Sequence, residues 1–230
     1  MFDVLGVVLF IALGVALVGI IAYWNWQREK RRTEELSLVA ETLSMQFDGT
    51  DAAEVQRFNQ FQLLQTAKRT SHKIYNVMWS DADNERLIVF DLDYVVGSGK
   101  ERHTVKQTVV GFDSPQLAVP VLFLARQRWY HSLGKVLGMQ DVELPDYPEF
   151  SKSFLVRGDE QGIPRWITRE FVEVMMDDPS VTCEARAGKM LIYRLGRRVN
   201  PSQMREFLRH AFRIVSAAKR ASSQNVPNPR

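Results

Sequence analysis

The chain has 230 residues, 45% of them hydrophobic, with 30 Lys and Arg against 27 Asp and Glu and a single cysteine. That apolar content can fill a substantial core, which excludes a wholly disordered chain; one cysteine excludes an internal disulfide or a multi-cysteine metal site and fits a reducing compartment. Beyond residue 33 the balance is 26 positive to 25 negative side chains, which excludes general nucleic-acid binding driven by bulk charge.

Val4 to Trp24 is a run of 21 residues without a formally charged side chain, and 13 of them are Leu, Ile, Val or Phe. As a helix it would reach roughly 30 Å, the hydrocarbon thickness of a bilayer. Tyr23, Trp24 and Trp26 close the run with rings that settle at headgroup depth. Only Met1, Phe2 and Asp3 precede it and no small-residue cleavage site follows, so the sequence predicts an uncleaved anchor rather than a signal peptide. Arg28, Lys30, Arg31 and Arg32 lie directly after the span and no Lys or Arg lies before it. That asymmetry predicts an inner-membrane protein with its N-terminus outside and the remainder in the cytoplasm, and makes Trp24, Trp26 and these four cations membrane-surface candidates.

Next, Leu36, Val39, Leu43 and Phe47 predict an amphipathic helix over Glu34–Phe47, ended by Asp48-Gly49, and Asp51 to Glu54 has capping-box spacing for a short second helix. From Lys73 the period drops to 2, predicting strands over 73–79, 86–96 and 104–112 as an antiparallel meander. A shorter extended stretch spans 119–124, and a helix or turn runs through Trp129 to Leu137. An irregular Pro-rich segment then leads to a strand over 153–157 and a helix after Pro164. Val181–Ala185 and Lys189–Leu195 predict a hairpin around Ala187-Gly188 that sets Cys183 among core residues. The last helix begins at Pro201 with Met204, Phe207, Leu208, Ala211 and Val215 as its buried stripe.

This order predicts an α+β fold: a transmembrane helix, an antiparallel meander, then strand, helix, hairpin and helix. The boundaries are an anchor at 1–27, a basic collar with linking helices at 28–72, a cytoplasmic domain at 73–220, and a disordered tail at 221–230. Whether the domain divides into 73–137 and 138–220 stays open.

Gly97-Ser-Gly-Lys100 poses the one catalytic question. A phosphate-binding loop needs Gly-x-x-x-x-Gly-Lys-Ser/Thr between a strand and a helix; here Tyr94 stands at the first glycine position, Glu101 at the hydroxyl position, and a strand follows. Pairing residues whose numbers sum to 199 instead sets Phe90 against Val109 and Tyr94 against Val105, with Asp93 against Lys106 and Asp91 against Thr108 on the other face. The motif therefore reads as a hairpin turn with Lys100, Arg102 and His103 exposed at its tip as candidate binding residues. Asp91 and Asp93 could hold a divalent cation if a third oxygen approached, but a cross-strand pair with Lys106 is the simpler reading and no metal is expected. His72, His103, His131 and His210 are scattered singly, as surface histidines are.

Phe90-Asp91-Leu-Asp-Tyr94, Gly97-Ser-Gly-Lys100, and Thr104 with Gln107-Thr-Val-Val110 resemble a family of uncharacterised bacterial single-pass membrane proteins. The likeness continues through Leu137-Gly-Met-Gln-Asp141, Pro148-Glu-Phe-Ser151, Leu155-Val-Arg-Gly-Asp-Glu160, and Tyr193-Arg194 followed by Val199-Asn-Pro201; Leu92 departs from it, where another aromatic is common. The resemblance implies an N-terminal anchor and one cytoplasmic domain, and no catalytic residue or cofactor. The expected function is a membrane-tethered, non-catalytic domain that binds a protein or the lipid surface, with self-association through Ala12, Ala16 and Gly19 as a further expectation. The alternatives are a metal-dependent hydrolase using Asp91 and Asp93 with His103, or a nucleotide-binding module using Lys100.

Overall fold

A computed structural model of the chain describes residues 4–50, 53–127 and 140–224. Helix α1 (Val4–Thr42) is unbroken over 39 residues, about 58 Å at the usual rise. Its first half is apolar in sequence, and the side chains described there are exposed, Phe10 by 78% and Leu13 by 71%. Among the described residues it is the one helix long and apolar enough to cross a membrane. Its second half turns Leu36 and Ala40 into the core.

The amphipathic helix expected over Glu34–Phe47 is thus the end of α1, and it stops earlier. Ser44 adopts φ 55, its N–H donates to Glu41 O at 3.0 Å, and Met45 N–H donates to Ala40 O at 2.8 Å. Those paired bonds close a helix on a left-handed residue. Phe47 consequently enters strand β1 (Gln46–Asp48). Ala53–Phe58 forms a 3-10 turn in place of the expected second helix, whose capping Asp51 lies outside the described residues, and α2 follows at Gln62–Lys68.

The meander is β2 (His72–Ala82), β3 (Glu85–Val96) and β4 (His103–Asp113). Its β3–β4 register runs from Arg86 against Asp113 to Val96 against His103, which is the predicted pairing. After β5 (Leu122–Arg126) come β6 (Gln140–Asp141), α3 (Pro148–Ser153), β7 (Phe154–Gly158), α4 (Gly162–Trp166) and α5 (Arg169–Met176). The Pro-rich segment therefore ends in a helix, and the helix expected after Pro164 is split in two, with Thr168 Oγ1 capping the second through Phe171 N–H. The helix or turn expected through Trp129–Leu137, and His131 with it, lie outside the described residues. The closing hairpin pairs β8 (Val181–Arg186) with β9 (Lys189–Arg194) in the predicted register, Cys183 against Ile192.

These strands form a single nine-stranded antiparallel sheet in the order β1-β2-β3-β4-β9-β8-β5-β7-β6, joined at its centre by β4 against β9. Each face carries its own core. On one side Leu36, Ala40, α5 and the final helix α6 (Met204–Gln224) cover Met78, Val89, Val110 and Cys183. On the other the 53–68 segment covers Ile88, Phe90, Leu92, Leu191 and Tyr193. The strand alternation of β3 divides those sets, even-numbered side chains to one face and odd to the other.

The C-terminus departs from expectation. Helix α6 continues to Gln224, with Ala221 and Ser222 buried and Trp166 Nε1 donating to Ser222 Oγ at 3.2 Å. Residues 221–224 are therefore part of the packed helix and not of a tail. Cys183 has no exposed surface and burial raises its thiol far above the ordinary range. A native-state assay with a thiol reagent should find it inert, reacting only after denaturant is added; prompt reaction in the native protein would contradict the packing.

Candidate functional site

The most concentrated chemistry lies where the collar of α1 crosses the sheet. Residues 29, 32, 33, 36 and 40 share one side of the helix. Leu36 and Ala40 lead that side into the core, and Arg32 and Glu29 continue it toward the apolar segment. On β3 the matching face reads Val89, Asp91, Asp93. An apolar pair of surfaces thus becomes a charged pair within one helical turn.

Asp91 is 1% exposed. Arg32 grips it bidentately, Nε to Oδ2 at 2.8 Å and Nη2 to Oδ1 at 2.9 Å, and also donates from Nη1 to Val199 O at 2.8 Å. Thr108 Oγ1 donates to Asp91 Oδ1 at 2.7 Å and accepts from Val199 N–H at 3.0 Å. Asn76 supplies the last donor, Nδ2 to Oδ2 at 2.9 Å, while its Oδ1 accepts from Thr33 at 2.8 Å. Asn76 reaches in because β2 bulges between Tyr75 and Met78 and places Asn76 at φ 53; a bulge re-aims a side chain in this way.

One step nearer the apolar segment, Arg198 bridges Glu29 at 2.8 Å and Asp93 at 2.8 Å, and Lys106 meets the same two carboxylates at 3.1 and 3.4 Å. Tyr75 Oη donates to Asp93 at 2.9 Å. Burial pushes Asp93 up to about 6, Lys106 draws it back, and Glu29 and Asp91 add to the rise. Glu29 is held below its ordinary value: burial acts to raise it, but the hydrogen bonds and charges of Arg198 and Lys106 outweigh that.

This arrangement decides what the paired aspartates can do. Their oxygens already accept from a guanidinium, an ammonium, an amide and hydroxyls, and the cross-strand partner read from the sequence, Lys106, is in place. Among the described residues no three His, Cys, Asp or Glu side chains are placed to hold a metal. His103 stands at the start of β4, with Nδ1 3.0 Å from Glu101 O, and is not brought to the aspartates. The network is a clamp between helix and sheet.

The other predicted residues separate. Lys100, Arg102 and His103 are exposed where Gly99–Glu101 forms a short 3-10 turn. Gly97 adopts φ 78, and a Cβ there would meet Glu101 O at 2.5 Å, so the turn itself requires glycine. Trp24, Trp26, Arg28, Lys30 and Arg31 are exposed on α1, with Lys30 Nζ 5.5 Å from the Trp26 ring. Arg32 does not stand with them: its side chain is 12% exposed and turned into the sheet. His210 is half-buried rather than superficial, and desolvation lowers its pKa. Sequence reasoning missed Glu29, Thr33, Asn76 and Arg198 as members of the clamp, although extending the Leu36–Ala40 stripe backwards along α1 reaches Arg32 and Glu29.

No protein-family model, no curated protein and no solved structure matches the chain.

Proposed function

We propose that the chain is a single-pass membrane-tethered domain, held on the cytoplasmic side of a bacterial inner membrane, that binds a protein or lipid surface without performing chemistry. One observation carries the reading: the guanidinium of Arg32, on the helix that would leave the membrane, is buried against Asp91 in the sheet. A floppy tether would not require it. The arrangement instead makes the domain a rigid continuation of its anchor, fixed in orientation to whatever the apolar segment enters. A hydrolase using Asp91 and Asp93 would have to exchange each cation partner for a metal, and a nucleotide site at Lys100 would lack the strand-to-helix cradle.

Alkaline extraction of membranes should leave the chain in the pellet, and detergent should release it. Orientation is read with Lys152→Cys, since Lys152 is exposed and Cys183 is buried. An impermeant thiol reagent should label that cysteine only after the cells are opened. Labelling in unbroken cells would reverse the orientation, and recovery in the soluble fraction would remove the anchor.

A further inference from the structure

We infer that the end of the sheet nearest the apolar segment is a contact face for anionic lipid, made by the β3–β4 turn, the α2–β2 turn and the connection from β9 to α6. The inference rests on reading α1 as a membrane anchor.

The order of clamp contacts gives the direction. Glu29 reaches Lys106 and, through Arg198, Asp93; Arg32 reaches Asp91 and Thr108; Thr33 reaches Asn76; Leu36 and Ala40 join the core that holds Val89 and Met78. Moving along α1 away from its apolar half therefore means moving backwards along β3. The C-terminal end of β3 points back toward the apolar half.

The height follows from standard rises. Glu29 lies five residues past Trp24, about 7.5 Å of helix. Strand β3 continues three residues beyond Asp93 before its turn, about 10 Å. The turn is thus brought back to the level of Tyr23, Trp24 and Trp26, the rings suited to headgroup depth. Two other connections share this end: Ser71 O accepts from Val95 N–H at 3.1 Å, and Gly196 N–H donates to Gln107 Oε1 at 3.1 Å.

Charge completes the case. Arg69, Lys100, Arg102 and Arg197 are exposed in these three connections, Lys68 and Lys73 are exposed at the adjoining ends of α2 and β2, and none of the six has an ion pair among the described residues. The segments 68–73, 97–103 and 195–200 hold one carboxylate between them, Glu101. At the opposite end of the sheet the β2–β3 turn, 81–85, carries Asp81, Asp83 and Glu85 and no Lys or Arg, while the β8–β9 turn is flanked by Arg186 and Lys189, so the two signs are mixed there. The meander, in a domain close to neutral in total, is therefore polarised along its strands, with its positive end toward the bilayer; the carboxylates of Asp177 and Asp178 in the α5–β8 turn, at the same end, are taken up by Arg213 and Arg194. Arg28 and Arg31, exposed on α1 just past the aromatic residues, extend the same positive surface. An anionic leaflet is the partner that meets such a surface at this height, because its attraction for exposed cations acts within about a Debye length of the headgroups.

The test uses the full chain reconstituted into phosphatidylcholine vesicles with and without phosphatidylglycerol, carrying a spin label at Ser98→Cys or, as a reference, at Asp83→Cys. Collision with a water-soluble nickel chelate should fall roughly twofold or more at position 98 when the anionic lipid is added, and stay constant at position 83. The fourfold variant Lys68→Glu, Arg69→Glu, Lys100→Glu, Arg102→Glu should lose the response at position 98 while keeping its thermal midpoint, since none of these side chains packs in the core. Equal chelate access at position 98 in both lipids, in protein that floats with the vesicles, overturns the contact face and leaves the anchor standing. Failure to float overturns the anchor and the face together.

Discussion

Replacing Asp91 with alanine is expected to lower the unfolding free energy by about 3–5 kcal/mol, the range for removing one member of a buried, hydrogen-bonded ion pair. Four donors converge on this carboxylate: Nε and Nη2 of Arg32, Nδ2 of Asn76 and Oγ1 of Thr108. Without it the Arg32 guanidinium keeps only Val199 O and Thr108 Oγ1, and the Asn76 amide loses its acceptor inside the protein. An unpaired buried cation costs more than its pair contributed, because its desolvation is no longer offset. The double change Arg32→Met, Asp91→Leu separates these terms. It should recover much of the loss, since an apolar pair of similar volume avoids the desolvation cost altogether. Urea unfolding of the full chain in detergent, followed by tryptophan fluorescence, measures all three proteins. A loss under about 1 kcal/mol for Asp91→Ala would mean that Arg32 swings into solvent and that the clamp does not fix the helix.

The same clamp marks how far the sequence can be read. The β3–β4 register was legible because Phe90 and Tyr94 alternate with Asp91 and Asp93, and the opposite strand answers with Val109 and Val105 against Thr108 and Lys106. One residue of slip in either direction would set one aspartate against a valine and the other against Gln107, and lose the Asp93–Lys106 pair, so local chemistry favoured one solution. The 181–194 hairpin was legible for the same reason. Strands β1 and β6 were not, being three and two residues long, too short to show a period. Ala217, Ala218 and Ala221 hid the packed end of α6, because small side chains give little hydropathy signal though helices approach closely over them.

Charge was the least legible quantity. A count of cations after a span treats Arg28, Lys30, Arg31 and Arg32 alike, whereas helix phase sends Arg32 inward and leaves the others outside. Likewise a net charge sums over the very axis along which the meander is polarised. Both are tertiary facts: they depend on where α1 meets the sheet, which no local window contains.

The pH dependence of stability should carry the signature of Glu184, on the other face of the sheet. This carboxyl is 3% exposed. Its Oε2 accepts from Gln62 N–H at 2.6 Å, and its Oε1 accepts from Leu63 N–H at 3.0 Å and from the Tyr193 hydroxyl at 2.8 Å. Helix α2 has Phe61 at its N-cap and no side-chain cap of its own, so Glu184 satisfies from a strand the orphan amides a cap would serve. Burial pushes its pKa from the ordinary 4.5 up to about 7, against the lowering pull of Tyr193, the two amides and Arg186. Because the folded value lies above the unfolded one, the native state holds the proton more tightly. Stability is therefore highest below about 4.5 as far as this group is concerned, falls as pH rises, and levels off above about 7. The full swing is about 3 kcal/mol.

Asp93, pushed up to about 6, adds a smaller fall in the same sense. Glu29, Glu85 and Asp178, held low by their partners, and His210, lowered by burial, act oppositely and lose their contribution as pH drops. The comparison must therefore be differential, with Glu184→Gln, which keeps the shape and cannot ionise. The unfolding free energy of the parent minus that of the variant should decline by about 3 kcal/mol between pH 4.5 and 8. A difference that stays flat across that window would mean that the two amides and the tyrosine hydroxyl hold Glu184 ionised throughout, and that the N-terminus of α2 outweighs burial at this site.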